Sequence, residues 1–195
     1  MHGLSSRLML LVGVLAIPGL AHAHPGHENM SGLVSGLGHP LFGLDHLLAM
    51  LAVGFWGAQL GGKARWLLPV LFVGVMLAGG SLAMLGLSVP AVEPGIIASV
   101  VVLGLFLLWA RQVPLAVSAA LVSVFALFHG VAHGAEMPLE ASAMTYALGF
   151  AVATAGLHLL GLLAGAWLQQ RSWPVVSRVM GAVIGAVGLS MAAGM

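Results

Sequence analysis

The sequence predicts an all-α fold, a polytopic bundle of membrane helices, on three observations. The 195-residue chain is 61% hydrophobic and 6% charged, with a mean hydropathy of +1.11. A soluble domain of this size needs a charged and polar surface that such a composition cannot supply. Apolar stretches recur at about 40–60, 66–87, 94–110, 114–133, 143–168 and 174–193, each near the ~20 residues a helix needs to cross hydrocarbon. Helix breakers separate them: Gly61-Gly62, Pro90 with Pro94, Pro114, Pro138 and Pro174.

A shorter element precedes the six spans. Arg7 supplies a positive start, Leu8 to Ile17 an apolar run, and Pro18-Gly19 a break, followed by the small-residue site Ala21-His22-Ala23. This is the pattern of a secretory signal peptide over residues 1–23. The mature chain then begins at His24, on the outer face of a bacterial inner membrane, and residues 24–195 form a single six-helix transmembrane domain.

Charge orients the spans independently. Lys63 and Arg65 follow the first, Arg111 the third and Arg171 the fifth, while Arg178 lies near the start of the sixth. Glu28, Glu93, Glu136 and Glu140 lie in the alternate segments. Basic residues mark cytoplasmic loops, so both mature ends are expected in the periplasm, as the signal peptide also requires. The tryptophans Trp56, Trp66, Trp109, Trp167 and Trp173 fall near the expected boundaries, where interfacial anchors belong. Gly181-x-x-x-Gly185 permits a homo-oligomer, although close packing within one bundle is its simpler use.

Polar residues in such a chain are the functional candidates. Pro40 suits a first helical turn, which puts His39 at the outer mouth of the first span. Asp45 and His46 then lie ~9–10 Å deeper at 1.5 Å per residue. His39 and His46, seven apart, share a face, whereas Asp45 points toward a different neighbour. His129 and His133, four apart, share a face at the outer end of the fourth span, and Glu136 extends it if the helix continues. Glu93 opens the third span. Three segments thus deliver imidazoles and carboxylates to one half of the membrane. His158, deeper in the fifth span, serves either as an inner relay for a common cargo or as a histidine hydrogen-bonded across a helix interface.

Those residue types suit a divalent transition metal. Imidazole with carboxylate favours nickel, cobalt, zinc or copper over magnesium or calcium, and the absence of cysteine excludes a thiolate cage. A carboxylate beside an imidazole also fixes its tautomer by accepting the other N–H. Asp45 fits that role toward His129 or His133 as well as it fits direct coordination. His24 and His27 form a second pair of capture ligands at the mouth if the new amino terminus is not merely a solvated tail. No phosphate-cradling GxxxxGK[ST] loop occurs, so the ion gradient, the membrane potential or a coupled proton must drive movement. A dication gains ~4.6 kcal/mol per 100 mV on entering an inside-negative cell, twice the single-charge value.

With these residues in view, the chain resembles the HupE/UreJ family of membrane proteins over essentially its whole length. The likeness rests on His24-Pro25-Gly26-His27 after the signal, on His39-Pro40…Gly43…Asp45-His46…Met50, and on Phe128-His129-Gly130…His133-Gly134…Glu136. Glu93…Ile97-Ala98-Ser99 adds weaker support. The resemblance implies a nickel, sometimes cobalt, secondary permease serving hydrogenase or urease maturation. It also implies that His39, Asp45, His46, Glu93, His129, His133 and Glu136 form the transport pathway.

Two rival functions use the same residues: a proton-conducting path, and a membrane metal-binding or assembly factor that passes its ion on without translocating it. The short loops offer the latter little docking surface. An enzyme is not expected, since no H-E-x-x-H motif is present. No resident cofactor is expected, the metal being cargo. The bilayer is the expected partner; with no basic patch, a nucleic acid is not.

Overall fold

Helices form where the apolar stretches lie and end where glycine or proline interrupts them. In the computed structural model the described residues, 32–137 and 141–194, fold into seven α-helices, with no strand among them. These are α1 (Gly32–Phe42), α2 (Leu44–Leu60), α3 (Ala64–Met84), α4 (Val92–Trp109), α5 (Leu115–Ala135), α6 (Ala143–Gln170) and α7 (Pro174–Ala192). The expected signal peptide, with His24 and His27, lies outside the described residues. Gly61 closes α2 in the positive-φ region (φ 74°), its N–H donating to the Gly57 carbonyl, a conformation open to glycine at little cost.

Helices α3 to α7 are each long and apolar enough to cross a membrane, and α1 with α2 qualifies as a pair bent by 81°. Gly32 lies against Ser142 and Thr145 at the start of α6, while Gly57 at the far end of α2 lies against Ala64 and Arg65. The bent pair therefore runs from one end of the bundle to the other. This corrects the first expected span. The helix does not begin at Pro40, which is buried inside α1; it breaks at Gly43 and restarts. Proline removes one intrahelical hydrogen bond, and α1 stops two residues later.

Helix α3 packs along α5, α2 along α6, α4 along α7, and α1 against α6. Small residues make the closest approaches. A methyl added at Gly130 would collide with the Met76 carbonyl, and one at Gly54 with the carbonyl of His158. Gly104 meets Gly181 and Gly185 backbone to backbone, so the Gly181-x-x-x-Gly185 stripe is used within the chain.

The exterior is apolar, with Leu105, Val117, Val124, Leu148 and Leu160 exposed, while His46, Ser99, His129, His133 and His158 are buried. That inversion suits a lipid solvent. Trp66, Trp109 and Trp167 are exposed, as anchors should be, but Trp56 is fully buried, its ring stacked on Phe106 at 4.9 Å. It belongs to the core. Lys63, Arg65, Arg111, Arg171 and Arg178 mark one end of the bundle by their positions at the helix termini, the basic end; Glu93 and Glu136 mark the other, the acidic end.

Candidate metal centre

The break at Gly43 creates the first part of the site. It starts α2 at Leu44 and leaves the first-turn amide groups without intrahelical acceptors. One oxygen of Asp45 accepts the backbone N–H of His46 at 2.7 Å and the Nδ1–H of the same residue at 2.8 Å. The carboxylate thus stabilises the helix start and fixes the imidazole at once. Asp45 hydrogen-bonds its sequence neighbour His46, and not His129, His133 or another helix as the sequence had suggested.

With Nδ1 protonated, His46 presents Nε2 as a lone pair, buried and without a protein partner. His129 is fixed the other way round. The Ser99 hydroxyl gives its single hydrogen to the Ile96 carbonyl at 2.6 Å, so its oxygen accepts from Nε2–H of His129 at 3.0 Å. His129 consequently presents Nδ1, also buried and unpartnered. His133 has both ring nitrogens buried without a protein partner.

These rings are contiguous. His46 lies 4.6 Å from His129 and 4.4 Å from His133, centroid to centroid, and His39 lies 4.6 Å from His133. Two sets of donors result: His46, His129 and His133, all buried; and His39, His133 and Glu136, nearer the surface. Within each set the ligand atoms lie within 4.8 Å of one another. Two nitrogens on one ion at ~2.1 Å each stand at most ~4.2 Å apart, so side-chain adjustments of under about an ångström would close either set. Because His133 belongs to both, the sets adjoin.

Exposure falls along the series. Side-chain exposure is 49% at Glu136 and 33% at His39, whereas His129 is fully buried. Nε2 of His39 lies 3.0 Å from the Glu136 carboxylate. Glu136 immediately follows α5, and the hydrogen bond from His39 holds its carboxyl below the usual glutamate value of 4.5, against the opposing effect of burial. A cavity of about 240 Å³ between α3, α5 and α6 reaches His133, with Met76, Met84, Met144 and Tyr146 among its walls.

Six of the expected residues are thus brought together: His39, Asp45, His46, His129, His133 and Glu136. Asp45 acts through His46. Glu93 is exposed in the first turn of α4 and joins neither set, although Gly95, two residues on, packs against Phe128 beside His129. His158 also stands apart from both. Ser99 entered the sequence reading only within the weaker family string, with no role assigned to it. Its physical signal was a hydroxyl in an apolar span, a feature serines more often show by bonding back to their own helix.

Comparison with known proteins identifies the family. The family model described as HupE / UreJ protein matches residues 11–191. "Protein HupE" of Rhizobium leguminosarum bv. viciae is 42% identical over 189 residues, covering 97% of this chain and 98% of that protein. No solved structure matches. A multi-pass helical membrane protein whose polar histidine motifs meet at one end of the bundle, this chain belongs to the HupE/UreJ family.

Proposed function

We propose that the protein is an inner-membrane secondary permease, channel or carrier, that imports a divalent transition metal ion, nickel foremost and cobalt next, for metalloenzyme maturation. The observation that carries this reading is the pair of adjoining donor sets sharing His133, one near the surface and one buried. Three adjacent imidazoles inside an apolar bundle, each with a ring nitrogen that has no protein partner, gain no stability from that arrangement. A buried polar atom left unpaired costs about 1–3 kcal/mol. As ligands for a passing cation they have a use.

In this reading residues 1–23 are a cleaved signal peptide, the acidic end faces the periplasm and the basic end the cytoplasm, following the positive-inside rule. Glu93, with His24 and His27, draws the ion to the mouth. Glu136 and His39 take it first, and His133 then passes it to His46 and His129. Imidazole nitrogens replace its water one at a time, and neutral ligands keep the ion releasable. Asp45 and Ser99 hold the two buried rings with their lone pairs inward, the outer-shell role that commonly tunes a metal site by about 10–100-fold in affinity.

The test is uptake of nickel and cobalt into cells lacking other importers, with wild type compared against His46→Ala and His133→Ala at matched membrane abundance. Both variants should lose at least about tenfold in uptake, since each removes a ligand and not merely its support. Wild type that raises uptake of neither metal would overturn the reading.

A further inference from the structure

His158 lies within α6, outside both donor sets. Its Nδ1–H donates to the Met50 carbonyl of α2 at 2.7 Å, which is the interface bond that polar residues make between membrane helices. That bond leaves Nε2 as a lone pair, and this atom is buried with no protein partner. An interface bond has no need of a second nitrogen, and a buried acceptor without a partner is costly.

The surroundings connect this atom to the site above it. The Phe72 ring packs against His129 at 5.5 Å and against His158 at 5.1 Å, so a single side chain separates the buried donor set from His158. A turn along each helix, the Thr154 hydroxyl of α6 reaches the Met76 sulfur of α3 at 3.8 Å. The cavity that reaches His133 includes Met76 in its wall. On the basic side of this partition, a crevice of about 260 Å³ between α3 and α6 runs from Trp66 and Pro69 to His158. Among the described residues, His158 is the only titratable side chain lining it. The seam between α3 and α6 thus carries two openings, one reaching each histidine, with Phe72, Met76 and Thr154 between them.

We infer that Nε2 of His158 is an inner station for the transported divalent ion, reached past Phe72 and emptied through the α3–α6 crevice toward the basic end. The inference rests on the permease reading above and adds the route by which the ion leaves. Movement of Phe72 brings the ion from His129 to a single imidazole in otherwise apolar walls. One ligand holds a dication weakly, as release requires.

The test is His158→Gln, which keeps an N–H for the Met50 carbonyl but removes the ring lone pair. Nickel uptake should fall at least about tenfold, while nickel affinity of the purified full-length protein stays within about twofold, because the upper set is intact. Unchanged uptake would overturn the inner station. So would uptake, affinity and melting temperature falling together, since His158 would then be purely structural. Should the variant not accumulate, wild type labelled with ¹⁵N-histidine and titrated with Zn²⁺ gives the answer: the Nε2 resonance of His158 is expected to shift, and a resonance unmoved at saturation overturns the proposal. Failure of wild type to take up nickel or cobalt removes the permease reading itself, an outcome separate from a silent His158→Gln.

Discussion

Two buried histidines in this protein are held in opposite tautomers by neighbouring oxygens. Asp45 keeps the proton of His46 on Nδ1, and Ser99, its hydrogen already given to Ile96, keeps that of His129 on Nε2. Ser99→Ala should weaken nickel binding about 10–100-fold with little change in fold, and Ser99→Thr should restore it; titration calorimetry on the purified protein reads both. At the mouth, Glu136 has its carboxyl lowered by the hydrogen bond from His39. The stabilisation from a lowered carboxyl is present above the ordinary value of 4.5 and is lost as pH falls through the lowered one. Thermal melts should therefore show the Glu136 contribution intact down to the usual glutamate range and declining below it, with Glu136→Gln removing that acid dependence. The effect is small because the group is half exposed.

Among the elements, the broken first span shows what a sequence can and cannot disclose. The 3.6-residue repeat placed His129 and His133 on one face correctly, because α5 is continuous through both. The same arithmetic applied to His39 and His46 assumed an unbroken helix, and the break at Gly43 voids it. The two rings nevertheless lie 6.1 Å apart, brought together by the bend. Gly43 has φ −82°, so its backbone does not require glycine, but its surroundings leave little room for more. A methyl there would stand 3.1 Å from the Asp45 carboxylate and 3.2 Å from Nδ1 of His46. Gly43→Ala should push that pair aside and raise the KM for nickel several-fold while the melting temperature stays near wild type. Ser99 could not be reached by any periodicity argument, since its partner is 30 residues away on another helix. Trp56 was misplaced for a related reason: position near a span end does not say which way a ring faces.

For the whole molecule, composition alone announced a membrane bundle, and the number of crossings turns on how α1 and α2 are counted. Because the chain has no cysteine, single cysteines report sidedness without background. Ser88, between α3 and α4, and Ser172, between α6 and α7, are both exposed and lie at opposite ends of the bundle. A membrane-impermeant maleimide added to intact spheroplasts should label Ser88→Cys, and should label Ser172→Cys only after permeabilisation. The reverse pattern would invert the proposed orientation. The sharing of His133 by two donor sets also bears on throughput. One imidazole cannot close both sets around separate ions, so occupancy of the pair is mutually exclusive. On the permease reading, this stretch of the pathway holds one ion at a time, and a second ion at the outer set cannot expel the first from the buried one by electrostatic knock-on, as happens in multi-ion pores. His158, outside both sets, does not share that exclusion. Uptake should saturate hyperbolically, and nickel and cobalt should compete for the same turn.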